Sequence, residues 1–107
     1  MNKVILMGRI TRDPETRYTQ TKNTLVSTFT LAVNKRGTKD ADFFNIVAWS
    51  KLGEFVSKYF KKGMQMVLSG RLSTREYEDN NGNKRHITEV IAEEIYFTDK
   101  REKSSNK

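Results

Sequence analysis

The residues with the clearest capacity for chemistry lie in the segment DFFNIVAW, residues 42–49. Side chains of an extended segment alternate between two faces, so Phe43, Asn45 and Trp49 share one face and Phe44 lies on the other. The two rings can stack on planar groups, and the amide between them can donate and accept hydrogen bonds. This face suits a ligand-binding surface, and burial in a core is the alternative role for the same rings.

The charge of the chain favours a polyanionic ligand. There are 20 Lys and Arg residues against 13 Asp and Glu in 107 residues, which gives a formal charge of +7. Such an excess in a small domain raises the local concentration of nucleic acid or acidic lipid and the rate at which it associates. A basic surface that is only solvated is the alternative, and we favour nucleic acid as the partner.

The composition argues against cofactor and metal chemistry. The chain has no cysteine and a single histidine, His86, which excludes disulfides, thiol nucleophiles, iron–sulfur clusters and cysteine-ligated zinc. We therefore expect no cofactor and no metal. The longest apolar run, residues 4–7, is too short for a membrane span or a signal sequence, so we expect no membrane association and a cytoplasmic location.

Three predicted strands precede the only clear helix. Residues 3–10 are apolar on both alternating faces, and Gly8 is a suitable site for a bend or bulge. Residues 25–33 are rich in β-branched side chains, and residues 42–49 alternate as described above. A short extended piece is also expected at residues 15–18.

The helix is predicted at residues 51–62, where apolar side chains recur at helical spacing. Ser50 is the expected N-cap and Gly63 the expected C′ residue, because these residue types suit those backbone positions. Three aromatic residues of the apolar stripe are expected in the core: Phe55, Tyr59 and Phe60.

Two long strands complete the predicted domain. Residues 64–77 alternate as a strand, and Asn81-Gly82 is a strong hairpin signal. The return strand is predicted at residues 84–91, and the alternation of residues 94–97 favours its extension through them.

The order of these elements predicts the fold class. Five curved strands with one helix between the third and fourth are the order of an OB-fold, a five-stranded, partly open Greek-key barrel. An ordinary five-stranded sheet with one packed helix has the same order and is the alternative. We expect one domain at residues 1–98, followed by a disordered basic tail at residues 99–107, which contain no apolar residue.

Four segments resemble the bacterial single-stranded DNA-binding proteins, and the resemblance covers nearly all of residues 2–97. In order they are NKVILMGRITRDPETRY, TFTLAVN, ADFFNIVAWSKLGEFVSKYFKKG and SGRLSTREYEDNNGNKRHITEV. The resemblance implies a homotetramer of OB-folds that coats single-stranded DNA during replication, recombination and repair, without sequence preference and without catalysis. Pairing of subunits would also cover the second apolar face of residues 3–10.

The resemblance also implies which residues contact DNA. The family's stacking aromatic residues match Phe43, Trp49 and Tyr77, and Asn45 lies between the first two. Sequence-independent binding needs such rings together with cations along the phosphate path. The basic positions of the family correspond here to five residues: Lys3, Arg17, Lys51, Lys62 and Arg75. Four further cations are candidates by their position in the two hairpins: Lys35, Arg36, Lys84 and Arg85.

One departure from the family concerns the C-terminus. Family members carry a flexible linker and an acidic terminal peptide that recruits partner proteins, whereas this sequence ends in the basic stretch DKREKSSNK. We therefore expect no protein partners to bind through this tail.

Two other functions are alternatives for this sequence. A metal-dependent nuclease would need carboxylate pairs such as Asp13 with Glu15, yet no convergent base or nucleophile accompanies them. Other acidic pairs of this kind are Asp40 with Asp42 and Glu76 with Glu78. An RNA-binding OB module of the translation apparatus is the second alternative, and it would prefer structured RNA to unstructured DNA.

Overall fold

Long alternating and β-branched runs make most of this chain strand. The computed structural model describes residues 1–98. Its elements are β1 (Val4–Ile10), β2 (Glu15–Tyr18), β3 (Leu25–Asn34), β4 (Ala41–Trp49), α1 (Ser50–Tyr59), β5 (Gln65–Glu78) and β6 (Lys84–Phe97). The expected order is confirmed, and the short extended piece at residues 15–18 forms an additional strand. The predicted tail, residues 99–107, lies outside the described residues.

The strands form one sheet that closes on itself. Their order is β1-β5-β6-β4-β3-β2, and β1 also pairs with β3 through Arg9 and Ile10. The β4–β6 contact is parallel, and the other pairs are antiparallel. Because the β1–β3 contact covers two residue pairs, the barrel closes unevenly. This is the partly open OB-fold architecture expected from the order of the elements.

The core lies inside the ring of strands, and α1 packs against it. Val56 and Phe60 are fully buried in the same apolar cluster as the inward-facing residues of the strands. Gly53 lets the helix approach closely, because a Cβ there would lie 2.5 Å from the Ala48 carbonyl oxygen. The buried Ser27 hydroxyl of β3 donates to the Gly53 carbonyl at 2.8 Å, so a hydrogen bond joins the sheet to the helix.

Both ends of α1 differ from the prediction. Trp49 is the N-cap residue, without a side-chain hydrogen bond, so the predicted cap by Ser50 is wrong. Ser50 has a φ of 55° instead, and β4 passes into α1 without a loop. The helix ends at Tyr59 because Phe60 adopts an extended conformation and enters the core. Gly63 therefore lies beyond the C′ position.

The aromatic stripe of α1 is only partly in the core. Phe60 is fully buried and stacks on Phe97, with ring centroids 4.7 Å apart. Phe55 is partly buried and packs edge-on against the same two rings. Tyr59 is about half exposed, so its prediction as a core residue is wrong. Its ring packs against Phe55 and Phe97 at the margin of the aromatic cluster, with ring centroids 5.4 and 6.4 Å away, so part of the ring remains in contact with solvent.

Candidate nucleic-acid interface

A groove crosses the sheet from β2 to β5 on the face opposite the core. The strand register places Thr28 opposite Val47, Val47 beside Ile91, and Ile91 opposite Arg71. Neighbouring strands are about 4.8 Å apart, so the five strands span roughly 19 Å. The hollow has a volume of about 480 Å³. The side chains that line this groove include Arg17, Thr28, Trp49, Arg71, Arg75 and Glu89.

Trp49 stands at one end of the groove. It is the last residue of β4, it lies opposite Val26, and it is 42% exposed. It also lines a second hollow of about 430 Å³, together with Lys22 and Thr24 of the turn between β2 and β3. The residue is therefore anchored on the sheet and still presents aromatic surface to solvent. This surface can stack against a base.

Phe43 and Asn45 extend the same face along β4. Phe43 is 65% exposed, whereas Ile46 and Ala48 on the other face are buried. Asn45 lines a continuation of the groove, a hollow that also includes Arg12. The alternation predicted for β4 is confirmed, because the aromatic and amide residues face solvent together.

The arginines of the groove differ in their electrostatic surroundings. Arg17, on β2, makes no ion pair with another residue of the range 1–98. Arg75 donates from Nε and Nη2 to the two carboxylate oxygens of Glu89, at 3.1 and 3.2 Å. Arg71 Nε lies 3.6 Å from a carboxylate oxygen of Glu93. Two of the three cations are thus already paired with acidic side chains of β6.

The β5–β6 hairpin extends from the barrel and carries Tyr77, which is 46% exposed and lies opposite Arg85. Arg85 Nε donates to Asp79 at 2.9 Å, and the same carboxylate accepts the backbone N–H groups of Asn81 and Asn83. The Arg85 hydrogen bond, followed by the backbone hydrogen bond from Asn83, lowers the pKa of Asp79 below its ordinary value. The tip of the hairpin is therefore held by an ionised carboxylate.

The other predicted cations lie away from the groove or at its margin. Lys35 and Arg36 occupy the turn between β3 and β4, and Lys35 Nζ lies 3.5 Å from Asp42. Lys51 is exposed in the first turn of α1. Three more positions complete the set: Lys3 before β1, Lys62 between α1 and β5, and Lys84 at the start of β6 opposite Glu78.

Asn2 places Lys3 near the groove. The Asn2 side chain donates to the Leu72 carbonyl and accepts the Leu72 N–H, both at 2.8 Å. These bonds extend the contact between β1 and β5 to Asn2, two residues before Val4. Lys3 therefore lies beside the segment of β5 that carries Arg71.

The sequence did not predict several residues of the groove or its continuation, among them Arg71, Thr28, Arg12 and Glu89. Arg71 shares the alternation of Arg75 and Tyr77 on β5, so the strand pattern contained a signal for it. Thr28 likewise lies on the outward face of β3. Nothing in the local sequence distinguished the two others, Arg12 and Glu89, from solvated charges.

The carboxylates considered for metal binding do not converge. Within residues 1–98, no three His, Cys, Asp or Glu side chains come close enough together to hold a metal ion. Asp13 accepts the N–H of Lys62 at 2.8 Å, and Asp42 pairs with Lys35.

Within residues 1–98, the helix α1 is neither long nor apolar enough to cross a membrane.

A self-closing sheet, a helix between β4 and β5, and a basic groove with exposed aromatic residues define an OB-fold domain of the nucleic-acid-binding class. The model of the single-strand binding protein family matches residues 1–98, and the chain belongs to this family. Members of the family bind DNA and are not enzymes.

Several bacterial relatives share most of the sequence. Single-stranded DNA-binding protein 3 of Clostridium acetobutylicum is 46% identical over an alignment of 101 residues that covers 91% of this chain and 70% of the relative. The single-stranded DNA-binding protein of Clostridium tetani is 44% identical over 110 residues, with 99% of this chain and 76% of the relative covered. That of Bacillus cereus is 47% identical over 106 residues, with 94% and 62% covered.

Proposed function

We propose that this protein binds and coats single-stranded DNA without reading its sequence. The observation that carries the proposal is the groove itself, in which the exposed aromatic surface of Trp49 lies on the same sheet face as Arg17 and Arg75. Every base has a flat face that can stack on an aromatic ring, and every nucleotide has a phosphate that attracts a cation. Neither interaction depends on the identity of the base.

Exposed rings on a sheet favour single strands over duplexes. In a duplex the faces of the bases are stacked on one another, so a ring on the protein has no base face to contact without unstacking. Phe43, Trp49 and Tyr77 are the proposed stacking residues, and Asn45 can bond a phosphate or a base edge. The proposed phosphate contacts are Lys3, Arg17, Lys35, Arg36, Lys51, Lys62, Arg75, Lys84 and Arg85.

The proposed role is protection and presentation of single strands during DNA replication, recombination and repair in the cytoplasm. Membership of the family and the names of the relatives support single-strand binding, on which this proposed role rests. A sequence-independent groove is suited to these processes, because each exposes single strands of arbitrary sequence.

We further propose that the protein is a homotetramer. Ile5, Met7 and Tyr96 are exposed although they are large and apolar. Met7 lies opposite Val67, and Val67 lies opposite Tyr96, so three apolar side chains form one row across β1, β5 and β6. The part of β1 that precedes Arg9 does not pair with β3, so this edge of the strand is open. An apolar patch beside an open strand edge favours subunit association.

Light scattering of the wild type and of Met7→Lys tests this assembly. We expect a mass four times that of one chain for the wild type, and a smaller species for the variant. Lys22→Met, a change on the turn between β2 and β3, is the control and should leave the mass unchanged. A wild-type monomer at micromolar concentration would contradict the proposal.

Binding is tested by following Trp49 fluorescence while unlabelled nucleic acids are added. We expect strong quenching by oligo-dT, weaker binding of a duplex of the same length, and no preference for structured RNA. Preference for structured RNA would support the RNA-binding alternative. Failure of oligo-dT to bind at 0.1 M salt would refute the proposed function.

A further inference from the structure

An acidic side chain is built into the floor of the basic groove. The Glu89 side chain is 11% exposed, whereas that of Arg75, which lies over it, is 57% exposed. Glu89 also lines both the groove and its continuation towards Asn45. The carboxylate therefore lies on the proposed path of the nucleic acid.

The sheet register explains why this pair forms. Glu89 lies opposite Ser73, and Arg75 is two residues further along β5, opposite Ile87. Residues in this diagonal relation are within reach of long side chains on one face of a sheet. A largely buried carboxylate is costly unless it is hydrogen-bonded to a cation, and Arg75 supplies two such bonds. The pair is thus part of the folded hairpin.

Pairing changes what Arg75 offers to a phosphate. Arg17, on the other side of the groove, presents a net positive charge, whereas Arg75 and Glu89 together are neutral. We propose that Glu89 competes with the nucleic acid for Arg75 and thereby limits affinity and the number of phosphates that the groove neutralises. The inference rests on the proposed function, because it assumes that a strand crosses the groove.

Glu89→Gln removes the negative charge and keeps the size of the side chain and one acceptor oxygen. Log affinity for a single strand falls by about 0.7 per neutralised phosphate for each tenfold rise in salt. Release of Arg75 from the ion pair should therefore steepen the slope by up to about 0.7, so that the gain in oligo-dT affinity over the wild type is up to about fivefold larger at 0.1 M salt than at 1 M. Weaker binding, or an unchanged slope, would overturn the inference.

Arg75 provides the complementary test. If the pair acts as a neutral unit, Arg75→Gln leaves an uncompensated carboxylate and should weaken binding and flatten the slope. The double variant Arg75→Gln with Glu89→Gln lacks both the cation and the carboxylate that repels phosphate, so it should bind more tightly than Arg75→Gln alone and less tightly than Glu89→Gln. If Glu89 instead positioned Arg75 for phosphate binding, the double variant would bind as weakly as Arg75→Gln alone.

Glu93→Gln is the matched control. It makes the same change of charge on the same strand, but Arg71 and Glu93 are both about half exposed and 3.6 Å apart, so water and salt screen this pair more effectively. We expect a smaller effect than for Glu89→Gln. Equal effects would mean that net charge accounts for the result and would reject the specific role of Glu89. If the wild-type protein does not bind oligo-dT, the proposed function itself is refuted.

Discussion

Replacement of Trp49 is expected to weaken binding and also to destabilise the fold, and the two effects can be separated. Slightly more than half of the residue is buried, where it lies opposite the buried Val26. This corresponds to roughly 140 Å² of surface for a tryptophan. At about 25 cal/mol per Å², Trp49→Ala loses about 3.5 kcal/mol of folding free energy. An alanine variant could therefore lose binding through unfolding.

Trp49→Leu and Trp49→Phe avoid this difficulty. Leucine still covers Val26 but has no aromatic face, whereas phenylalanine retains both properties. Stacking contributes about 1 to 3 kcal/mol per base, so the leucine variant should bind oligo-dT about 5- to 150-fold more weakly than the wild type. The phenylalanine variant should lie close to the wild type.

Fluorescence anisotropy of a labelled oligo-dT is the suitable assay, because Trp49 is the only tryptophan and both variants lack its fluorescence. Urea unfolding at the same protein concentration confirms that the variants are folded. A folded leucine variant with wild-type affinity would refute base stacking on Trp49. The side chain of Trp49 would then only shield Val26 from solvent.

Three further predictions concern the scaffold. Gly53→Ala should destabilise the fold by about 1 to 2 kcal/mol in urea unfolding, because the clash with the Ala48 carbonyl outweighs the usual gain in helix propensity; a more stable variant would contradict the close approach. Phe60→Ala should cost about 3 to 5 kcal/mol in the same measurement, since the ring is fully buried, and a cost below 1 kcal/mol would argue against its place in the core. The pKa of the Asp79 carboxyl group is lower in the folded protein than its ordinary value of 3.8. The carboxylate should therefore stabilise the hairpin tip at pH values above 3.8, and this stabilisation should be lost as the pH falls through the lower pKa of the folded state. Amide exchange at Asn81 and Asn83 measures this, and fast exchange already at pH 5 would contradict it.

The local sequence was sufficient for most of the strands and for the face of β4 that carries the aromatic residues. Alternation is a property of neighbouring residues, so the sequence alone predicts that Phe43, Asn45 and Trp49 share one face. The Asn81-Gly82 turn was likewise determined locally, because Gly82 has a φ of 81°, which glycine adopts without steric cost. The order of the elements then restricted the architecture to very few folds.

The tertiary structure decided the features that depend on contacts between distant residues. α1 ends at Tyr59, where Phe60 leaves the helical conformation and stacks on Phe97, 37 positions away in the sequence. Glu89 and Arg75 are 14 residues apart and meet only because the hairpin register brings them together. Burial and ion pairing are set by such long-range neighbours, so the sequence alone determined which residues were charged or aromatic, and the fold determined which of them remained available to a ligand.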